Sequence, residues 1–294
     1  MKTILVTGAS GFLGTALIKG LLDSNFNVIG ISRSDCTINH SNFRLINLDI
    51  CDYAKLQASL KDESNISCIV HLAAKIYYGE NPDINEEMIK TNILGSYNIA
   101  RLVKEKNIKS LIYASSMSVY DSHEKATEKT APNPDSLYGL TKLTPEFFEK
   151  EIKDCNVYIL RFSGIFGPGR NAGIIYKVIN AYVNNKIFDL GSDGLDSWNP
   201  VYIDDAVKSI IFFLENDGTP RGVYNVGLDR QITVKEIGDI LRKKSNKNLL
   251  KFSDKKSTLD FFMSVDKIKK LGFKFEDIEK SINKFYKYLK GDKI

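Results

Sequence analysis

The 294-residue chain has only four cysteines and three histidines, and it has no long apolar run. Cys36, Cys51, Cys68 and Cys155 are far apart and form no CxxC pair, so neither a disulfide framework nor a thiolate zinc site is expected. His40, His71 and His123 are equally scattered, and no metal site is assigned. No segment approaches the about 20 apolar residues of a membrane-spanning helix or the about 7–15 of a secretory signal, and the expectation is a cytoplasmic protein. Internal repeats and low-complexity tracts are also missing. The net charge is +5, with lysines recurring after residue 240 (Lys243, Lys244, Lys247, Lys251) and acids such as Asp254, Asp260 and Asp266 between them. With no recognisable nucleic-acid module beside it, this pattern reads as a solvated helical face, so neither nucleic acid nor membrane is expected as a partner.

What is present is an alternation of strands and helices. The chain is 43% hydrophobic, enough for one large core or a core with a smaller lobe. Apolar, β-branched runs predict strands at Lys2–Thr7, Asn27–Ile31, Phe43–Leu48, Cys68–Leu72, Leu111–Ser115 and Val157–Phe162. Helical spacing predicts Phe12–Leu22, Asn85–Lys106 and a helix from Tyr138 to Lys153, with a kink or break at Pro145. Further on, helices are expected at Ile174–Val183, Asp205–Glu215, Thr233–Arg242 (with a Thr233/Glu236 capping box), Asp266–Leu271 and Glu276–Leu289. The predicted fold is α/β: a Rossmann-type doubly wound parallel sheet with a smaller C-terminal α/β substrate lobe. Residues 1–165 form the expected dinucleotide domain and 166–294 the interleaved substrate lobe, with segments around 201–226 returning to the first.

The first strand runs into Thr7-Gly8-Ala9-Ser10-Gly11-Phe12-Leu13-Gly14 and then a helix. Glycines at this spacing suit a tight turn, a backbone approach to pyrophosphate and close helix–sheet packing, with the helix N-terminus facing the phosphates. The second predicted strand leads to Ser32 and Arg33, where a ribose-binding acid is usual. A guanidinium and a hydroxyl suit a 2′-phosphate, which favours NADP(H) over NAD(H), although Asp35 is available for the ribose.

Tyr138-Gly139-Leu140-Thr141-Lys142 places a tyrosine and a lysine one turn apart on a helix. A neighbouring ammonium favours the phenolate, so Tyr138 can act as acid or base near neutrality, and Lys142 can also hold the nicotinamide ribose. At the end of the fifth strand, Ser116 is the preferred hydroxyl for polarising a substrate oxygen, with Ser115 second and Ser118 on the substrate side.

Taken together, these motifs resemble the extended short-chain dehydrogenase/reductase family, in its NAD(P)-dependent epimerase/dehydratase branch. The likeness continues through Leu48-Asp49-Ile50, His71-Leu72-Ala73-Ala74, Asn92, Leu160-Arg161-Phe162, Phe166-Gly167-Pro168, Val201-Tyr202-Ile203-Asp204-Asp205, Tyr224-Asn225-Val226-Gly227 and Lys270-Leu271-Gly272-Phe273. The resemblance implies that Asp49 and Ile50 contact adenine, that Leu72, Ala73 and Ala74 line the cofactor cleft, that Asn92 supports the active-site region, and that the protein is a homodimer. Asp204 and Asp205 read as helix-capping acids.

Departures bear on the substrate. The family's 4,6-dehydratases carry Thr-Asp-Glu where this chain has Ser116-Met117-Ser118, which disfavours dehydration. Gly164 and Trp198 stand where its nucleotide-sugar epimerases usually have Asn and Arg for the sugar diphosphate; Arg170, Arg221 and Arg230 are available as substitutes. The leading expectation is a nucleotide-sugar epimerase or 4-ketoreductase. The alternatives are an NADPH-dependent reductase of a non-sugar carbonyl, with Trp198, Phe162, Phe166 and Tyr77-Tyr78 around an apolar pocket, and a non-catalytic dinucleotide sensor.

Overall fold

The computed structural model describes residues 1–76, 85–121, 125–216 and 218–292. Its chain divides into two compact units, the first comprising Met1–Asp121, Ala131–Arg161 and Val207–Tyr224, the second Ser122–Thr130, Phe162–Ala206 and Asn225–Ile294.

Apolar runs, five of them in the first half of the chain, become the strands of one seven-stranded parallel sheet: β1 (Thr3–Thr7), β2 (Asn27–Ser32), β3 (Phe43–Asn47), β4 (Ile66–His71), β5 (Ser110–Ser116), β6 (Asn156–Phe162) and β7 (Gly222–Val226). Their order is β7-β6-β5-β4-β1-β2-β3. Strand order therefore reverses between β1 and β4, and open sheets of this kind bind ligands at the carboxyl ends of the strands beside such a switch. The register there is set by Val6 opposite Gly30 on one side and Val70 on the other.

Leu5, Ile69, Leu111 and Ile159 point to one face of the sheet and pack with Leu56, Ile99, Leu102 and Val103, which come from α2 (Tyr53–Ser59) and α4 (Ser96–Glu105). Buried apolar side chains of this kind contribute roughly 25 cal/mol per Å2 of surface removed from water. α1 (Phe12–Asp23) lies so close to the helix Ile203–Glu215 that a Cβ on Gly20 would meet Val207 Cγ1 at 2.8 Å.

Two helices depart from the expected form. The segment predicted as one helix from Asn85 to Lys106 contains α3 (Glu86–Ile89), a π-helical turn over Lys90–Gly95, and then α4. Such turns are often found at functional sites, and here the turn carries Thr91 and Asn92. The break expected at Pro145 does not occur, because α5 runs from Leu137 to Lys150 with the proline buried on its inner face. Ser136 caps this helix through Gly139 N.

In the second unit, α6 (Ile174–Val183), α8 (Val234–Ser245) and α9 (Ile278–Lys290) pack together. The capping box between Thr233 and Glu236 is present. Asp204 and Asp205 occupy the first turn of the helix Ile203–Glu215, which is numbered α7, and Asp205 Oδ2 accepts Glu276 N at 2.8 Å. No described helix is long and apolar enough to cross a membrane.

Candidate functional site

The turn after β1 works because it lacks side chains. Gly8 has φ +73°, and a Cβ there would sit 2.8 Å from Ala73 N. A Cβ on Gly14 would come within 2.1 Å of Gly8 O. Only glycine permits both the left-handed turn and the close seating of α1 on it. Gly11 is the N-cap of α1 and makes no side-chain cap, so no Gly11 side chain stands between the helix N-terminus and a ligand.

A cleft of about 690 Å3 opens beside this turn. Ile31, Leu48 and Ile50 give it an apolar side, and Leu72, Ala73 and Ala74 form another wall. Ser10, Ser32, Arg33 and Asp49 supply polar groups, and Gly8 and Gly11 bring backbone. Ten residues proposed from sequence for a dinucleotide therefore share one cavity. Ser34 and Thr91 line it as well and carried no sequence signal. An apolar slot for a flat base, hydroxyls at the end of β2 and a side-chain-free turn at a helix start are the features a dinucleotide requires, so these residues fit one. Phe12 and Leu13 lie in the first turn of α1 rather than in the cleft lining.

His71 is a core residue. Its Nδ1 is 2.6 Å from Thr7 Oγ1 and its Nε2 is 2.9 Å from Ser96 Oγ, and burial pushes it down to about 3, leaving it neutral. The same Thr7 hydroxyl accepts Ala73 N at 3.2 Å, which fixes the cleft wall to β1.

Ser116 ends β5 and starts a 3-10 turn over Met117–Val119, its Oγ accepting Ser118 N at 3.1 Å and donating to Ser118 Oγ at 3.2 Å. The first turn of α5 sits hard against this serine turn, since a Cβ on Gly139 would lie 2.0 Å from Ser118 O. The glycine after Tyr138 thus brings the tyrosine's helix next to the Ser116 turn. Tyr138 is half-buried. One turn on, Lys142 is 3% exposed, with Nζ 4.4 Å from the centre of the Tyr113 ring. Burial pushes Lys142 down to about 8, against the opposing pull of Glu149 and Glu146. Asn92 ties this arrangement together: Oδ1 accepts Lys75 N at 2.7 Å, and Nδ2 donates to Lys75 O and to Thr141 Oγ1, both at 3.0 Å. It clamps the loop after β4 to the tyrosine helix.

Ser115 has a different partner. Its hydroxyl donates to Glu146 Oε1 at 2.6 Å, and Arg161 grips the same carboxylate from Nε (2.9 Å) and Nη2 (2.6 Å). Both charges are buried. This places Ser115 in a structural network below the site rather than in the cleft, and leaves Ser116 as the strand-end hydroxyl. Glu146 gave no signal in the sequence beyond its spacing from Lys142.

Arg33 does not stand alone at the end of β2. Nη1 donates to Glu87 Oε1 at 2.7 Å and lies 4.0 Å from Asp49, while Lys75 Nζ meets Glu87 Oε2 at 3.2 Å. The Glu87 hydrogen bond raises the Arg33 pKa further. Asp35 is engaged as well, accepting Asn47 Nδ2 at 2.7 Å. In the second unit, Trp198 is buried on a short strand paired with Ile232–Thr233, and its ring nitrogen lies 3.6 Å from where a Gly164 Cβ would be. Phe166 is buried in aromatic packing with Tyr202 and Phe285, and Phe162 is buried too. Tyr77 and Tyr78 lie outside the described residues. No metal-holding cluster of histidine, cysteine or carboxylate side chains occurs among the described residues.

Comparison with known proteins bears on the same site. Residues 4–227 match the model of the NAD dependent epimerase/dehydratase family. A Bacillus subtilis (strain 168) protein named as an uncharacterized UDP-glucose epimerase, YtcB, is 30% identical over 86% of this chain and 85% of its own length. The dTDP-D-glucose 4,6-dehydratase of Bos taurus is 27% identical over 93% of this chain and 84% of its own. Among solved structures, UDP-glucuronic acid 4-epimerase from Bacillus cereus in complex with NAD superposes with a TM-score of 0.83 at 26% identity, covering 98% of this chain and 99% of that one.

Proposed function

As the chain belongs to the NAD dependent epimerase/dehydratase family, we propose that it is an NAD-dependent enzyme that interconverts alcohol and ketone at a sugar carbon, C4 of a nucleotide sugar, as an epimerase or 4-ketoreductase. The observation that carries this reading is the seating of the helix that bears Tyr138, through Gly139, against the Ser116 turn, with Lys142 buried one helical turn further on. The solved relative with NAD acts on a UDP-sugar by its name, which supports the substrate class.

In this reading the glycine turn and the start of α1 hold the pyrophosphate, and Ile31, Leu48 and Ile50 enclose the adenine. Bound NAD supplies the hydride acceptor. Tyr138 takes the proton of the reacting hydroxyl, and the Ser116 hydroxyl donates a hydrogen bond to the same oxygen. The positive charge of Lys142 favours the phenolate of Tyr138. In the reductive direction Tyr138 returns the proton. Met117 and Ser118 offer no acid/base pair, so no elimination step is assigned, although 4,6-dehydratases are among the relatives.

The preference for NADP(H) drawn from Arg33 is not retained, because the Arg33 guanidinium is paired with Glu87 and close to Asp49. Leu94 and Tyr97, beside and on α4, and Leu140 and Phe147 on α5 are apolar side chains with 44%, 51%, 50% and 61% exposure, and a second copy of the chain is the proposed cover for them.

The test is mass spectrometry of the dinucleotide released on denaturation, followed by assay of Tyr138→Phe with UDP-sugars. Retained NAD, and turnover reduced at least about 100-fold with the cofactor still bound, are expected. A protein with no affinity for either dinucleotide would sink the reading. The second reading, a non-sugar carbonyl reductase, draws on Gly164 and Trp198, which provide neither a side-chain carboxamide nor a guanidinium for a diphosphate. Absence of UDP binding by a protein that holds its dinucleotide would favour it.

A further inference from the structure

Ser32 stands at the end of β2, where a carboxylate is the usual ribose ligand, and its hydroxyl is bonded to Ser10 Oγ. Arg33 follows in the lining of the cleft. On its own, this pair would make a 2′-phosphate site, because a guanidinium binds phosphate in a fork geometry.

A carboxylate from a different element changes that chemistry. Glu87 comes from α3, and its position is well defined: Asn85 caps the helix through Met88 N at 3.0 Å, and Met88 is 4% exposed. Helix α3 leads directly into the π-helical turn that carries Thr91, a lining residue of the same cleft. Glu87 puts one oxygen on Arg33 at 2.7 Å and the other on Lys75 at 3.2 Å. Lys75 directly follows Ala73 and Ala74 of the cleft wall, so the carboxylate bridges the end of β2 to the loop after β4.

From this we infer that Glu87 is the residue that sets dinucleotide choice, occupying the Arg33 guanidinium and supplying, from α3, the negative charge missing from the end of β2. A 2′-phosphate would have to displace Glu87 from Arg33 and then remain near both Glu87 and Asp49. A 2′-hydroxyl meets no such repulsion and finds carboxylate acceptors. Discrimination by an unfavourable element in this way needs no direct contact between Glu87 and the nicotinamide end. Glu87 acts through Arg33 and is a specificity-determining residue, not a catalytic one. This inference rests on the proposal that the cleft binds a dinucleotide.

Binding of NADH and NADPH to the full-length protein, followed by fluorescence titration, tests it directly. The unmodified protein is expected to prefer NADH by about tenfold or more, and Glu87→Gln to move the ratio about tenfold toward NADPH. Glu87→Asp, which keeps the charge, should hold the original preference. Arg33→Ala combined with Glu87→Gln should lose the gained NADPH affinity. A ratio in Glu87→Gln within about twofold of the parent, or an NADPH gain that survives loss of Arg33, overturns the inference while leaving dinucleotide binding intact. Failure of the parent protein to bind either dinucleotide overturns the functional reading itself, and this inference with it.

Discussion

Glu149 shares the buried inner face of α5 with Lys142, seven residues away, and neither of its carboxyl oxygens has a hydrogen-bond partner. A helix advances about two turns over that spacing, so the two groups sit one above the other beneath the site. Burial pushes Glu149 well above the usual carboxylate range, the ammonium of Lys142 pulls the other way, and the charge of Glu146 adds to the rise. Burial therefore favours the neutral acid at Glu149.

This state has a thermodynamic signature. With the folded pKa raised, the folded protein keeps a proton that the unfolded chain releases, so stability falls as pH rises above the unfolded value of about 4.3. Glu149→Leu and Glu149→Gln should be more stable than the parent at pH 8, by about 1–3 kcal/mol, with little difference at pH 4. Thermal or urea unfolding across that range measures it. A difference that does not change with pH would mean that Glu149 is ionised in the native state.

Lys142 predicts the pH dependence of activity. Burial pushes it down to about 8, so the charge proposed to support the Tyr138 phenolate is present below that pH and lost above it. The kcat/KM profile should show an alkaline limb near pH 8, reporting the free protein. Lys142→Arg, always charged, should remove that limb, and Lys142→Met should lower kcat/KM about 100-fold or more across the range. An unchanged alkaline limb in Lys142→Arg would assign it to another group.

How much of this was legible in the sequence depends on the kind of interaction. The sheet strands are short, continuous apolar runs whose burial on both faces is visible as composition, and the glycines at Gly8 and Gly14 report backbone contacts that forbid a Cβ. The Tyr138–Lys142 spacing is likewise a local helical property. Glu87 and Arg33 are 54 residues apart, and nothing local indicates that they meet. The π-helical turn was equally hidden, since its residues fit an ordinary helical period. Pro145 is the opposite case: local chemistry argues for a kink or break, and the capped helix continues through it without a break.

The Glu146–Arg161 pair is another long-range contact with a measurable cost. It is bidentate and both groups are buried, and Ser115 donates to the same carboxylate. Removing Arg161 leaves the buried Glu146 charge with only the Ser115 hydroxyl and the half-exposed Lys150, 3.6 Å away, so Arg161→Met should destabilise the protein by about 3 kcal/mol. The combined Glu146→Met, Arg161→Met variant should be less destabilised than Arg161→Met alone, because no charge is stranded. Equal losses in the single and double variants would show that Glu146 gains its solvation elsewhere.

The exposed apolar side chains of α4 and α5 lead to the last prediction. These helices pack against each other, and Tyr97, Leu140 and Phe147 on them, with Leu94 of the adjoining π-helical turn, remain exposed. Leaving several large apolar groups in water is unfavourable, and a self-complementary face closes with a two-fold copy of itself. The protein should sediment as a dimer, and Phe147→Glu combined with Tyr97→Glu should shift it to monomer at micromolar concentration, because charge placed in an apolar interface is left unpaired. Asn92, in the π-helical turn that leads into α4, donates to Thr141 Oγ1 of α5, so loss of the partner would loosen the same helix that carries Tyr138 and Lys142. The monomeric variant should therefore lose turnover along with assembly. A monomeric parent protein would leave this face without its proposed cover.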